Sequence, residues 1–400
     1  MISIGIDVSK GKSTVCFLKL YGEIVYKPFE VIHTESSLSH LLNLISSIGD
    51  EDIRVVMEAT GNYHLPILNF LKSYNVFVSV INPLIMHKYA NLSLRRGKTD
   101  PLDSVKIANY GLDNWHNLKD YSPSTALYNE LKLLNRQYLN YIKIRINAKQ
   151  TLTNLLDSTM PGIKTMFFNR SDTPNRDKLC AFVKEYWHYD NITKMSESAF
   201  TNHYLQWNKN NDYRGSIAKA HNIYILANDS IPTLSSSLSS TKFLVLEAVQ
   251  TLHNIDTTIA DILAKMKELS KTLKEYETVL AMPGVGEILA PRLIAEIGDI
   301  SRFRNASALV AFAGLDAPPF QSGNYISTNR SISKRGSSTL RKTGYEIMKC
   351  LKTVKPTKDA AVYLFMLKKE SEGKPLKVAK IAALNKFLRI YYARVKEIYN

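Results

Sequence analysis

Cysteine is scarce in this chain. Cys16, Cys180 and Cys350 are three residues in 400, too widely spaced for a disulfide framework or a CxxC zinc site, and that usage fits a reducing compartment. Long hydrophobic runs are missing too. No apolar stretch approaches the roughly 18 residues of a membrane span, and Asp7, Lys10 and Lys12 interrupt the N-terminus before a signal-peptide core could form. The expectation is a cytoplasmic chain with no membrane partner. Acids are thin in the last third, where Ala281 to Asn400 holds 21 Lys/Arg against 9 Asp/Glu. That segment therefore carries +12 of the net +16, and only +4 is left for the first 280 residues. Such a concentration is the footprint of a phosphate-backbone partner; the bland alternative is a solvated basic surface. Histidine is absent beyond His253, so no imidazole from the basic third itself can activate a nucleophile there.

What is present is ordinary globular material, 45% hydrophobic and 22% charged, enough for two or three domains. ISIGID, STVCFLKL and EIVYKPFEV read as three short strands separated by the tight breaks SKGK and YGE. A helix follows near Glu35 to Ile48, then strand 53–58, helix 63–73, strand 76–81, and helices from Pro83 and from Pro101. Three hairpin strands followed by alternating helix and strand predict an α/β layer of the ribonuclease-H-like kind over residues 1–120. From Leu127 the period changes. Leu127, Leu131, Leu134, Tyr138, Tyr141, Arg145, Ala148, Leu152 and Leu155 step by four and three, and so do Leu252, Ile255, Ile259, Ile262, Met266, Leu269, Leu273, Tyr276 and Leu280. Long coiled-coil helices are expected over 121–160 and 242–280, with an inserted helical region of unknown purpose over 161–241. Residues 281–400 form the basic C-terminal domain.

Asp7 closes the first predicted strand and Glu58 closes the fourth. If those strands pair in parallel, the two carboxylates lie side by side. Asp100 and Asp103, in KTDPLD, are three apart at a helix start and face the same way. Four acids gathered at one point would repel one another without cations, and Mg²⁺ takes oxygen ligands of this kind. Phosphodiester chemistry commonly uses two such ions about 4 Å apart. The competing reading of Asp100-Pro101 is a helix N-cap with proline at the first helical position, with Asp103 as the return half of a capping box. Either strand-end acid alone could be a solvated residue. IGIDVSKGK also resembles the phosphate loop of actin-like ATPases and sugar kinases, but Val8 and Ser9 stand where those proteins carry glycine, and no second glycine-rich loop follows.

The basic third offers two further motifs. VLAMPGVGEILAPRLIAEIGD resembles a helix-hairpin-helix, in which glycines such as Gly284 and Gly286 let backbone N–H groups approach a phosphate; a plain interhelical turn is the alternative. Then AFAGLDAPPFQSG and its sequel combine Ser322 with Arg330, Lys334, Arg335, Arg341 and Lys342. Cations around a loop serine can bind a phosphate and offset transition-state charge, and a serine attacking phosphorus would conserve bond energy in a phosphoserine. Composition does not choose among the serines, since Ser327, Ser331, Ser333, Ser337 and Ser338 lie close by.

The ordered set GID, EATGNY, KTDPLD, MPGVG, AFAGL, QSG and SKRG resembles the DEDD transposases of bacterial insertion sequences, the bridge-RNA-guided recombinases, over residues 2 to 390 with the middle insertion unmatched. That resemblance implies a RuvC-like nuclease domain, a coiled-coil connection and a mainly helical transposase domain. It implies Asp7, Glu58, Asp100 and Asp103 as Mg²⁺-binding catalytic acids and Ser322 as the residue that attacks DNA. It also implies a structured noncoding guide RNA and a tetramer in which acids and serine from different subunits meet. None of the five positions departs from the pattern. The rival function is a metal-dependent, structure-specific nuclease of the junction-resolvase kind, with the serine a turn residue. A non-enzymatic nucleic-acid scaffold is a third class.

Overall fold

The computed structural model describes residues 1–49, 52–59, 61–90, 99–121, 126–167, 177–317, 321–322, 325–326 and 331–399. The chain forms two compact units, Met1–Pro123 and Ser124–Asn400. Among the described residues no helix is long and apolar enough to cross a membrane.

In the first unit the strands are β1 (Ile2–Val8), β2 (Lys12–Lys19), β3 (Ile24–Ile32), β4 (Ile53–Glu58) and β5 (Val78–Ile81). The helices are α1 (Glu35–Ser46), α2 (Leu65–Ser73), α3 (Pro83–Ala90) and α4 (Asp100–Asp113). The sheet order is β3-β2-β1-β4-β5. β1, β2 and β3 form an antiparallel meander, while β4 runs parallel to β1 and β5 parallel to β4. That mixed order is the ribonuclease-H-like arrangement, and it follows from the strand pattern expected of the sequence.

The pleat sorts β1 into two faces. Ile2, Ile4, Ile6 and Val8 pack with Leu38, Leu41 and Ile45 of α1 and Ile67, Leu68 and Leu71 of α2. Ser3, Gly5 and Asp7 face the other way, toward α4. The approach there is close. A Cβ on Gly5 would stand 2.2 Å from the Ser104 carbonyl oxygen and 2.3 Å from the Ala108 nitrogen, and one on Gly111 would stand 2.1 Å from Ser3 Oγ. Small residues on both elements let α4 lie on the sheet at backbone distance.

The second unit is helical. Its helices are α5 (Ala126–Thr159), α6 (Ile163–Met166), α7 (Lys178–Tyr186), α8 (Asp190–Thr193), α9 (Glu197–Asn210), α10 (Ile217–Asp229), α11 (Ser239–Lys271), α12 (Tyr276–Leu280), α13 (Leu289–Ile297), α14 (Ala306–Phe312), α15 (Ser338–Val354), α16 (Ala361–Ser371) and α17 (Leu376–Tyr399). A two-residue ladder, β6 (Gln321–Ser322) with β7 (Tyr325–Ile326), lies between α14 and α15. The two long helices α5 and α11 pack together, and the one charge in the apolar seam of α5, Arg145, is met there by Asp256 of α11 at 2.5 Å. The second heptad-like run is not one helix. It stops at Lys271 and resumes at Tyr276, and in the break Glu275 turns inward to accept hydrogen bonds from the Tyr128 hydroxyl at 2.6 Å and from that of Tyr399.

The segment 161–241 does not pack by itself. Its aromatic core of Phe182, Phe200, Tyr204 and Trp207 is completed by Leu152 and Leu156 of α5 and Val245 and Val249 of α11, so it caps one end of the long pair. At the other end the core is centred on α13, whose residues are all buried, including Arg292 and Glu296.

Candidate active site and nucleic-acid interface

The parallel register of β1 and β4 ends at Ile6↔Met57, so one residue further Asp7 and Glu58 lie at the same level of adjacent strands. Both are half-buried. Val56 of β4 packs with Ile107 of α4, so by alternation Glu58 leaves the sheet on the face that Asp7 uses. The N-terminus of α4 brings Asp100 and Asp103 to that face. The helix cap differs from the expected one: Thr99 is the N-cap, its Oγ1 accepting from the Leu102 N–H at 3.5 Å, and Asp100 is already helical. Threonine performs the capping, which leaves the Asp100 carboxylate outside that duty. Asp103 pairs with Lys106 one turn on, at 2.8 Å.

Asp7 senses the other three acids. Its carboxyl is pushed up to about 6, first by burial, then by the charges of Asp100, Asp103 and Glu58. The four positions singled out in the sequence are therefore brought into one electrostatic cluster. As they stand, among the described residues no group of three or more His, Cys, Asp and Glu side chains is arranged to hold a metal ion. Lys12, overlooked in the sequence, also belongs to this neighbourhood: Glu30, 2.6 Å away, and then Asp100 raise its pKa. Gly5 was legible only as part of GID; a glycine inside an apolar strand is the signal that another backbone comes close.

In the second unit Ser322 pairs with Tyr325 across β6 and β7. Gly323 and Arg330 lie outside the described residues. Backbone hydrogen bonds close the base of this excursion. Ser333 N–H donates to the Asp316 carbonyl at 2.7 Å, Lys334 N–H to that of Gly314 at 3.0 Å, and Ser337 N–H to that of Phe312 at 2.7 Å. AFAGL and SKRG thus lie against each other. Gly336 has room for no side chain, since a Cβ would stand 2.1 Å from the Phe312 oxygen and 2.4 Å from the Gly314 nitrogen. Arg341 Nη1 donates to the carbonyls of Ala313 at 2.9 Å and Gly336 at 3.1 Å, which ties the start of α15 to the same junction. Of the cations singled out in the sequence, Lys334, Arg335 and Lys342 are exposed, whereas Arg341 is engaged with backbone.

The PGVG turn joins α12 to α13. Gly284 has φ +83°, and a Cβ there would stand 2.9 Å from the Ile347 carbonyl oxygen and from Leu351 Cβ, so it is packed on α15. Gly286 is open to solvent, with nothing near its Cβ position.

Two family models match the chain. A transposase model of the DEDD, IS110 type covers residues 4–161, and the transposase IS116/IS110/IS902 family covers residues 276–363. The pilin gene-inverting protein of Moraxella bovis is 24% identical over 396 residues, covering 98% of this chain and 95% of that protein. The insertion element IS116 protein of Streptomyces clavuligerus is 24% identical, covering 80% of this chain and 77% of its own length. Among solved structures, Thermus thermophilus RuvC overlaps 30% of this chain and all of its own at a TM-score of 0.24 and 11% identity; the fold assignment stands on strand order, not on that overlap. These matches define an enzyme that catalyses DNA transposition. The chain belongs to the IS110 family of insertion-sequence transposases.

Proposed function

We propose that this transposase excises and inserts its own element with a carboxylate cluster in the first unit and the hydroxyl of Ser322 in the second. The observation that carries the reading is the raised pKa of Asp7, whose carboxyl is pushed up to about 6 by burial and by Asp100, Asp103 and Glu58. Buried like charges call for a cation, and an all-carboxylate donor set suits a hard divalent ion such as Mg²⁺. Asp7, Glu58, Asp100 and Asp103 would hold it, and once bound it would supply Lewis-acid stabilisation of charge on phosphoryl oxygens. Ser322 Oγ attacks phosphorus; a serine–phosphate ester bond forms as one P–O bond of the DNA breaks, and the departing oxygen takes up a proton. The phosphodiester bond energy is thereby retained for strand exchange.

The +12 of the last 120 residues supports DNA as the partner of this segment, with Lys334, Arg335 and Lys342 as exposed phosphate contacts. Arg330 is assigned to the same group, and Arg341 acts by holding the loop base. The PGVG turn would hold DNA backbone in helix-hairpin-helix fashion, with the open Gly286 nearest the phosphate and Gly284 shaping the turn. The α5–α11 pair would serve as a coiled-coil connection. A structured guide RNA, a tetramer, and acids and serine drawn from different subunits complete the reading; they rest on the motif resemblance. A simple junction nuclease is not favoured, because the matched families are transposases.

The test is covalent trapping on DNA carrying the element ends. The wild-type chain is expected to give a protein–DNA adduct that Ser322→Ala abolishes, and an undiminished adduct from that variant would sink the serine assignment. RNA that co-purifies with the protein and maps to the element's noncoding end, in a complex of four chains, is the expected result for the partners.

A further inference from the structure

One buried acid outside the cluster has no part in the reading above. Glu296, on the core helix α13, is 2% exposed. Its Oε1 accepts from Asn135 Nδ2 of α5 at 2.8 Å. Its Oε2 accepts from Arg136 Nη2 of α5 at 3.1 Å and from Ser337 Oγ at 3.2 Å. Arg136 Nη1 continues to Thr339 Oγ1 of α15 at 2.5 Å. One carboxylate therefore ties three elements together: α5, α13 and the N-terminus of α15.

The position of Ser337 gives this network its meaning. Its hydroxyl caps α15, accepting from the Leu340 N–H at 3.1 Å while donating to Glu296, and its own N–H closes the loop base on Phe312. It directly follows Gly336, the residue wedged against Phe312 and Gly314. The return arm of the Ser322 excursion thus ends on a residue that Glu296 holds. A surface ion pair would add little here, but a buried carboxylate with donors on both oxygens fixes geometry, because each donor it loses leaves desolvated charge behind.

We infer that Glu296 is a positioning residue for the serine chemistry: through Ser337 and through Arg136–Thr339 it sets the base of the arm that carries Ser322, and it does so from the long helix α5. This rests on the assignment of Ser322 as nucleophile. Near-attack geometry is sensitive at this level, since a displacement of about 1 Å can lower a rate by about 100-fold.

The experiment uses the full-length protein with Mg²⁺, a nicked duplex carrying its own element ends, and RNA transcribed from those ends. Single-turnover adduct formation at saturating DNA is compared with DNA affinity and with thermal unfolding. Glu296→Gln keeps the volume but drops the charge and turns one of the two accepting oxygens into a donating amide, and is expected to slow adduct formation about 10- to 100-fold with Kd for DNA within about twofold. Thr339→Val, a milder change at the rim of the network, is expected to slow it about 3- to 10-fold and keeps the test open if the first variant folds poorly. An unchanged rate in both variants overturns the inference. So does a rate loss that merely tracks the loss of folded protein or of DNA binding. If Ser322→Ala still forms the adduct, the serine assignment itself falls; if it does not and Glu296→Gln is normal, only the positioning role falls.

Discussion

Asp7 is an acid whose pKa is raised, first by burial and then by its acidic neighbours, and that has a sign. Its folded pKa of about 6 lies above the ordinary aspartate value of 3.8, so the folded chain binds the proton more tightly than the unfolded one. In the metal-free protein, stability should therefore fall as pH rises from about 4 through about 6 and stay lower above that. For a half-buried group, solvent screening holds the effect to about 1–2 kcal/mol. Asp7→Asn removes this liability. Thermal scans at pH 7.5 without divalent ions should show the variant more stable than wild type, adding Mg²⁺ should raise the wild-type Tm alone, and strand transfer by the variant should be lost. Equal Tm values and an equal response to Mg²⁺ would contradict the cluster as a cation site.

At the scale of elements, the decisive contacts are between backbones and between paired helices. The meander and the parallel β4 were legible because each strand is short, apolar and bounded by turn residues. Asp7 and Glu58 were legible as strand ends. The helix cap was not: Asp100 before Pro101 satisfies the capping pattern as well as Thr99 does, and only geometry shows Thr99 Oγ1 reaching the Leu102 N–H. The break between Lys271 and Tyr276 was hidden for a similar reason, since the apolar spacing runs straight through it while the buried Glu275 and its two tyrosine partners lie far apart in sequence. The Glu296 network joins residues about 160 and 40 positions apart, which no local pattern encodes. Arg145 is a clear case of what an element pair requires. Its side chain and that of Asp256 are 17% and 8% exposed, so removing one partner strands a desolvated charge. Arg145→Met should lower unfolding free energy by about 3–5 kcal/mol in denaturant titration, whereas Arg145→Met with Asp256→Leu should recover most of it. Additive losses in the double variant would mean that the pair does not act as a unit.

Over the whole molecule, charge is divided between the two jobs. The acids singled out for catalysis sit in the first unit, and most of the excess positive charge lies in the last 120 residues. DNA affinity should therefore fall steeply with salt. Replacing Lys334, Arg335 and Lys342 together with alanine should flatten the slope of log K against log[salt] by about 2–3, without changing which sequence is preferred. An unchanged slope would remove these three exposed side chains from the interface.

The junction of Gly314 and Gly336 has a further consequence, for how such a protein can change over evolutionary time. Because the two ends of the Ser322 excursion meet at backbone contact and are held by Arg341 and by the Phe312, Gly314 and Asp316 carbonyls, the scaffold's geometry is independent of how long the excursion is. Doubling the chain length between fixed ends adds only about 0.6 kcal/mol of closure entropy. Length between the anchors can therefore change at little cost to folding, but any change that displaces Ser322 is answered by the chemistry, so natural variation can act only where it leaves the serine in place.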